Sequence, residues 1–279
     1  MTEQEGFRPT GRQGRTGKCT LCGNQATLTK AHVPPKAAFN KGDFAWGGTT
    51  ADNHLAYGRA KRGGANRYAH CEVCRASTSP WDDEYIRWAH CFAGHLLRSP
   101  WKGQRTHIEG ELVDVRPGRF IRAAIAGMTA LAPNLIDSHP DLVRIVREGI
   151  PMQPPDDIRF LVADATGCVA AAPRNESPPH RGGSPEAGAP PWSQDIQSGE
   201  WTSTATPAVS AVIHFPPFSL LLADRQVASS FPHADGTEWL QLGVEESANV
   251  SLVLPVVELP RTPDAPVPIS MLQFKEARA

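Results

Sequence analysis

Apolar residues recur along this chain with two periods, and the change of period divides it. Trp81, Tyr85, Trp88, Phe92 and Leu96 follow one another at steps of four and three. That spacing predicts a helix with one apolar face. Ser79 stands where its N-cap belongs, Pro80 at its first position, and Asp82, Asp83 and Glu84 load its first turn. Phe120, Ile121, Ala124, Ile125, Met128 and Leu131 predict a second helix, stopped by Pro133. A third starts at Pro140, buries Leu142, Val143, Ile145 and Val146, and ends at Gly149 as its C-cap. Residues 111–116 read as a short strand, and Pro117-Gly118 as a break.

From Ile158 the helical period is lost. Ile158–Ala163 and Cys168–Ala172 predict a hairpin turning at Asp164–Gly167. Further strands are expected at Ala208–Phe215, Phe218–Ala223, Trp239–Leu242 and Val250–Leu254, with His214 and His233 beside them and without an assigned role. Residues 173–200, rich in Pro, Gly and Ser, predict a flexible loop. The expected fold class is α+β: a zinc-stabilised N-terminal module, middle helices, and a small antiparallel C-terminal β domain. The expected divisions are a disordered basic arm (1–17), a zinc module (18–110), a helical segment (111–157) and the β domain (158–279).

Before residue 80 the apolar pattern is thin, and cysteines take over as the organising feature. Cys19-x-x-Cys22 and Cys71-x-x-Cys74 are two knuckles that can offer four thiolates to one tetrahedral ion. A structural zinc is expected there, closing a long polar loop over residues 40–70. Cys91 and Cys168 remain, and both read as small buried hydrophobes. Ala26–Leu28 and His32-Val33 read as two short strands flanking a turn.

Three features between the knuckles carry a resemblance: His32-Val33-Pro34, Gly63-Gly64-x-Asn66, and the four residues separating Asn66 from Cys71. In this order the first third of the chain resembles the HNH nucleases, the ββα-metal family on a treble-clef-like zinc scaffold. The resemblance implies a ββα fold, His32 as general base and Asn66 as the residue that orients the loop carrying it. It also implies a second, catalytic divalent ion (Mg²⁺, Mn²⁺, Ni²⁺ or Zn²⁺) and DNA as partner. The chain departs from the family at two ligand positions. Ala31 precedes the base where an Asp, Glu or His is usual, and Arg75 follows the last cysteine where His or Asn is usual; Ser79 stands four further on. Asp82, His54 or Asp52 are the substitute ligands considered, and Arg75 is a substitute source of positive charge.

Charge adds to this picture. Residues 1–110 carry 16 Lys and Arg against 9 Asp and Glu, whereas residues 111–279 carry 12 against 20. A basic first part suits a phosphate-bearing ligand. Arg59, Lys61 and Arg62 are the expected phosphate contacts, with Arg8, Arg12 and Arg15 in the arm. No apolar run approaches a membrane span, and no signal-peptide core precedes the first knuckle, so a cytoplasmic protein without membrane contact is expected. A phosphate-cradling Gly loop, a Ser nucleophile elbow and internal repeats are absent from the sequence. The function expected is a nuclease. The alternatives are a non-catalytic zinc module contacting nucleic acid or protein, and the same scaffold reused on a small molecule.

Overall fold

The computed structural model of the chain describes residues 16–41, 47–49, 55–57, 63–98, 107–166, 209–215 and 217–258. The basic arm, Asp52 to His54, the Arg59–Arg62 cluster, Cys168 with the second strand of the expected hairpin, and the 173–200 loop lie outside them.

The fold is α+β. A small antiparallel sheet is built from β1 (Thr16–Lys18), β2 (Gln25–His32) and a later strand, with a two-stranded pair, β3 (Gly47–Thr49) and β4 (Leu55–Tyr57), in the intervening segment. The later strand is β5 (Asn66–Cys71), and it lies against β2. Thus 40–70 is not one loop: it contains β3 and β4, and Asn66 opens β5. β2 also runs unbroken where two short strands about a turn were expected. A bulge between Thr29 and Lys30 absorbs the polar pair that reads as a turn.

Helix α1 (Glu72–Thr78) begins directly after Cys71, whose extended backbone (ψ 163°) launches it. A 3₁₀ turn, Ser79–Trp81, joins it to α2 (Asp82–Arg98). The helix therefore starts earlier than the Ser79-Pro80 signature indicates. Pro80 sits in the first turn of the 3₁₀ segment, where its missing N–H costs nothing. The apolar stripe of α2 does face inward, with Trp81, Tyr85, Trp88 and Phe92 all buried. Cys91 is exposed, contrary to the expected burial, because it falls off that stripe.

Beyond α2 come β6 (His107–Val115), α3 (Pro117–Leu131), the short α4 (Leu135–Ser138) and α5 (Pro140–Glu148). Gly149 caps α5 in the left-handed region (φ 69°), as expected. Then follow β7 (Ile158–Thr166), β8 (Val209–Phe215), β9 (Phe218–Asp224), the single turn α6 (Arg225–Ala228), β10 (Ala234–Asp235) and β11 (Ala248–Glu258). The larger sheet runs β6-β11-β7-β9-β8, with β10 on β7. Its pairings are antiparallel except β11 with β7, which makes the sheet mixed. β6 is its edge, so the short strand after the helix belongs to the C-terminal sheet. Trp239 to Gln241 lies in a 3₁₀ turn rather than a strand. Asp235 Oδ1 accepts from the Thr237 N–H at 2.8 Å and starts that turn.

One hydrophobic core runs from Cys19 and Leu28 through α2 and α3 to Leu254. Its centre is aromatic. Phe120 stacks on Trp88 at 4.1 Å and meets Phe218 edge-on at 5.4 Å, while Trp88 meets Trp239 at 5.2 Å. Arg122 is fully buried beside it. Its guanidinium donates to the carbonyls of Gly118, Leu242, Ile150 and Leu240. Gly118 is needed there: a Cβ would lie 2.6 Å from the Gly243 and Leu242 carbonyls.

Asp164 lies inside β7, not in a turn, flanked by β9 and β11. It is fully buried and neither carboxylate oxygen has a hydrogen-bond partner. Burial pushes its pKa up to about 7. The folded state thus holds a proton that the unfolded state has already lost, and stability falls as pH rises from about 4 to about 7. Asp164→Asn removes this dependence. At pH 8 we expect it to stabilise the fold by up to about 4 kcal/mol, and by little at pH 4, measured by denaturant unfolding at the two pH values.

Candidate functional site

The two knuckles meet. The sulfurs of Cys19, Cys22, Cys71 and Cys74 all lie within 4.8 Å of one another, with Cys22 and Cys71 at 3.9 Å. Four sulfurs about 2.3 Å from a tetrahedral zinc stand roughly 3.8 Å apart, so the cluster fits such an ion. The first knuckle is tight: the Gly23 N–H donates to the Cys19 carbonyl at 2.9 Å, with Gly23 left-handed (φ 76°). The Cys71 N–H donates to Cys19 Sγ at 3.3 Å. Burial acts to raise the Cys19 pKa, but backbone donors from Cys71, Leu21 and Cys22 outweigh it and lower the value. Burial raises Cys22 and Cys74. A positive ion among the sulfurs offsets that cost of ionising them.

The closure fixes the β2–β5 register. Leu28 lies opposite Cys71 at one end, and His32 opposite Asn66 at the other. His32 and Asn66 are thus brought together, far from the thiolates along the same two strands. Asn66 Nδ2 donates to the Gly64 carbonyl at 2.9 Å, and the Gly63 backbone lies near enough to the His32 ring to favour its protonated form. Both glycines have positive φ (97° and 80°). Asn66 therefore braces the glycine turn beside the histidine.

Asn40 completes this support, and sequence reasoning missed it. It is 1% exposed. Its Nδ2 donates to the carbonyls of Pro34 (2.7 Å) and Ala65 (2.9 Å), and its Oδ1 accepts from the Ala65 N–H at 2.7 Å. It joins the chain after His32 to the glycine turn. A Cβ on Gly64 would lie 2.2 Å from the Asn40 carbonyl oxygen, so that contact requires glycine. A signal existed only in the Gly63-Gly64 pair, which announces a close backbone approach without naming what approaches.

His32 faces a cleft of about 340 Å³ shared with Lys36, Arg75, Asp82, Asp83 and Tyr85. Small residues of α3 (Ala123, Ala124, Ala126 and Gly127) form its floor, and Ile213 of β8 closes one side. Gly127 lets Val33 come close: a Cβ there would meet Val33 at 3.1 Å. His32 is half-buried; burial, then Lys36 and Arg75, hold its pKa below the ordinary histidine value. Burial lifts Asp82 to about 6, against the pull of Arg75. Arg75 Nη1 donates to the Lys30 carbonyl at 2.8 Å.

His70 also borders the cleft but is occupied elsewhere. It is buried, hydrogen-bonds to Thr129 Oγ1 at 3.3 Å and to the Ala126 backbone, and burial depresses it to about 4. It ties β5 to α3. His90 is exposed, hydrogen-bonds to the Ala37 carbonyl and stacks on Phe39, away from the cleft. His233 bonds Ser219 at 2.9 Å, on the opposite sheet face from Phe218. Among the described residues only the four cysteines form a group able to hold a metal ion. Asp82 shares the cleft with His32 without completing a second ligand set. Among these residues no helix is long and apolar enough to cross a membrane.

No known protein family, curated protein or solved structure matches the chain.

Asn40→Ala leaves the Ala65 N–H and Pro34 carbonyl unpaired in a buried place. The expected loss is about 2–4 kcal/mol by denaturant unfolding, against about 1 kcal/mol for the part-buried Asn66→Ala.

Proposed function

We propose that the chain is an HNH-like nuclease, which cleaves phosphodiester bonds of nucleic acid in the His32 cleft, and that the four thiolates hold a structural zinc. The observation that carries this reading is the His32 arrangement. A histidine at the end of a β strand lies opposite an asparagine whose side chain secures the adjoining glycine turn. This is the geometry the resemblance assigns to a general base, and it opens into a cleft edged with positive charge.

The chemistry follows from the residues. Attack on a phosphodiester needs a base for the nucleophile's proton, positive charge for the developing phosphorane, and a proton for the leaving oxygen. His32, neutral at neutral pH because of burial and its cationic neighbours, can take the first proton. Lys36 and Arg75 border the place where a phosphate would sit, and Asp82 retains a proton to near pH 6. The thiolates take no part in the reaction and hold the strands in register. The role as a pure binding module is less well supported, because binding phosphate needs the cations but not a histidine braced in this way.

The test is cleavage of plasmid DNA, single-stranded DNA and RNA by wild type and His32→Ala, at equal zinc content. We expect cleavage of at least one substrate, reduced about 10²–10⁴-fold in His32→Ala. The acid limb of the pH profile should lie below pH 6.5, since a depressed histidine stays neutral further into acid. Lys36→Gln removes one of the depressing charges and should move that limb upward. Equal cleavage by wild type and His32→Ala would contradict the reading.

A further inference from the structure

Resting on that reading, we propose that Arg75 is the cation that acts on the phosphate in this cleft, and that the substrate is RNA, cleaved by its own 2′-hydroxyl group. Arg75 lies on α1, one residue past the second knuckle, so the thiolate closure positions it as firmly as it positions His32. The Lys30 carbonyl holds its Nη1 at 2.8 Å. Among the described residues its other N–H groups have no acceptor, and no ion pair joins it to Asp82 or Asp83 although all three border the cleft. Its charge is nonetheless felt by both His32 and Asp82. A guanidinium that is braced, outside any ion pair among the described residues and open to a cleft is suited to bind two oxygens of a phosphate. Lys36 adds a second positive charge at the same cleft.

The ligands that face the cleft do not make a dication site. The residue before His32 is Ala31, His70 is engaged with Thr129 and Ala126, and Arg75 and Lys36 oppose a further positive charge. A histidine of depressed pKa is a weak base for water whose acidity no metal has raised. A neighbouring hydroxyl on the substrate removes that difficulty, because an internal nucleophile acts at effective molarities of about 10⁵–10⁸ M. The ribose 2′-hydroxyl is such a group, and DNA lacks it. The cleft, about 340 Å³, is the size of a small-molecule site and suits one unit of a single strand.

The step balances without a co-reactant. His32 takes the 2′-hydroxyl proton as the 2′-oxygen bonds to phosphorus. The bond from phosphorus to the 5′-oxygen breaks, and that oxygen leaves with the proton of Asp82. The products are a 2′,3′-cyclic phosphate and a free 5′-hydroxyl, with His32 protonated and Asp82 ionised. Arg75 and Lys36 hold the non-bridging oxygens throughout.

The experiment uses the full chain passed over a chelating resin, with the thiolate-bound metal shown to be retained by metal analysis. Substrates are a single-stranded RNA, the same RNA with one 2′-deoxy residue at the cleaved position, and the matching DNA, each with and without added Mg²⁺ or Mn²⁺. We expect RNA cleavage without added ions, cyclic-phosphate ends, and none at the deoxy position. Arg75→Ala should lower the rate about 10²–10³-fold at unchanged zinc content. Arg75→Lys keeps the charge and should recover part of the loss, which separates a phosphate contact from a folding role. Cleavage of DNA that needs an added ion, or equal cleavage at the deoxy position, would overturn this inference while leaving the nuclease reading intact. No cleavage of any substrate under any condition would overturn both.

Discussion

Everything at the candidate site depends on the approach of four sulfurs. The apolar side chains that the described residues between Cys22 and Cys71 bury are mostly small: Leu28, Ala31, Val33, Ala38, Ala65 and Ala69. Bringing the two knuckles within 4.8 Å sets Leu28 against Cys71, and the two strands, stepping one residue at the bulge between Thr29 and Lys30, then set His32 against Asn66. It also starts α1 at Glu72, which places Arg75 at the mouth of the cleft. An ion held by the cluster would thus be remote from the proposed chemistry and still set its geometry.

The cleft exists because of what lies behind it. α3 is buried along nearly its whole length, and where it passes beneath His32 its residues are alanines and a glycine. Large side chains there would fill the space. The position of α3 is set in turn by the aromatic stack of Trp88 and Phe120 and by Arg122, whose three carbonyl acceptors outside the helix fasten it to the segments at Ile150 and at Leu240–Leu242. Glu84 adds a tie, accepting from Trp88 Nε1 and from the Arg116 N–H. Ile213 reaches the cleft from the sheet. The C-terminal part is therefore part of the wall around His32 and shares its core.

The legible parts of the sequence were those fixed by short-range chemistry. The two knuckles state their spacing outright, the apolar stripe of α2 and the Gly149 cap follow helical geometry, and the His32/Gly63-Gly64/Asn66 set shows as a motif. What stayed hidden depends on partners distant in sequence. Asp164 reads as a turn residue and is instead buried in a central strand, because two neighbouring strands override its local preference. Trp239 has a strand-like neighbourhood but lies in a 3₁₀ segment, just after the turn in which Asp235 accepts from the Thr237 N–H. Asn40 carries no pattern at all; its role is set by two carbonyls and an amide that only the folded chain brings to it. The parallel pairing of β11 with β7 is likewise a matter of topology, which no local period encodes.

The central claim is that an ion on four thiolates sets the frame of the site. X-ray absorption at the zinc edge of the purified full chain, together with metal content, tests it most directly. The account predicts one zinc per chain with four sulfur neighbours at about 2.3 Å and no nitrogen or oxygen in its first shell. A chain that folds with no metal, or a zinc bound by nitrogen and oxygen donors such as His32 and Asp82, would contradict it.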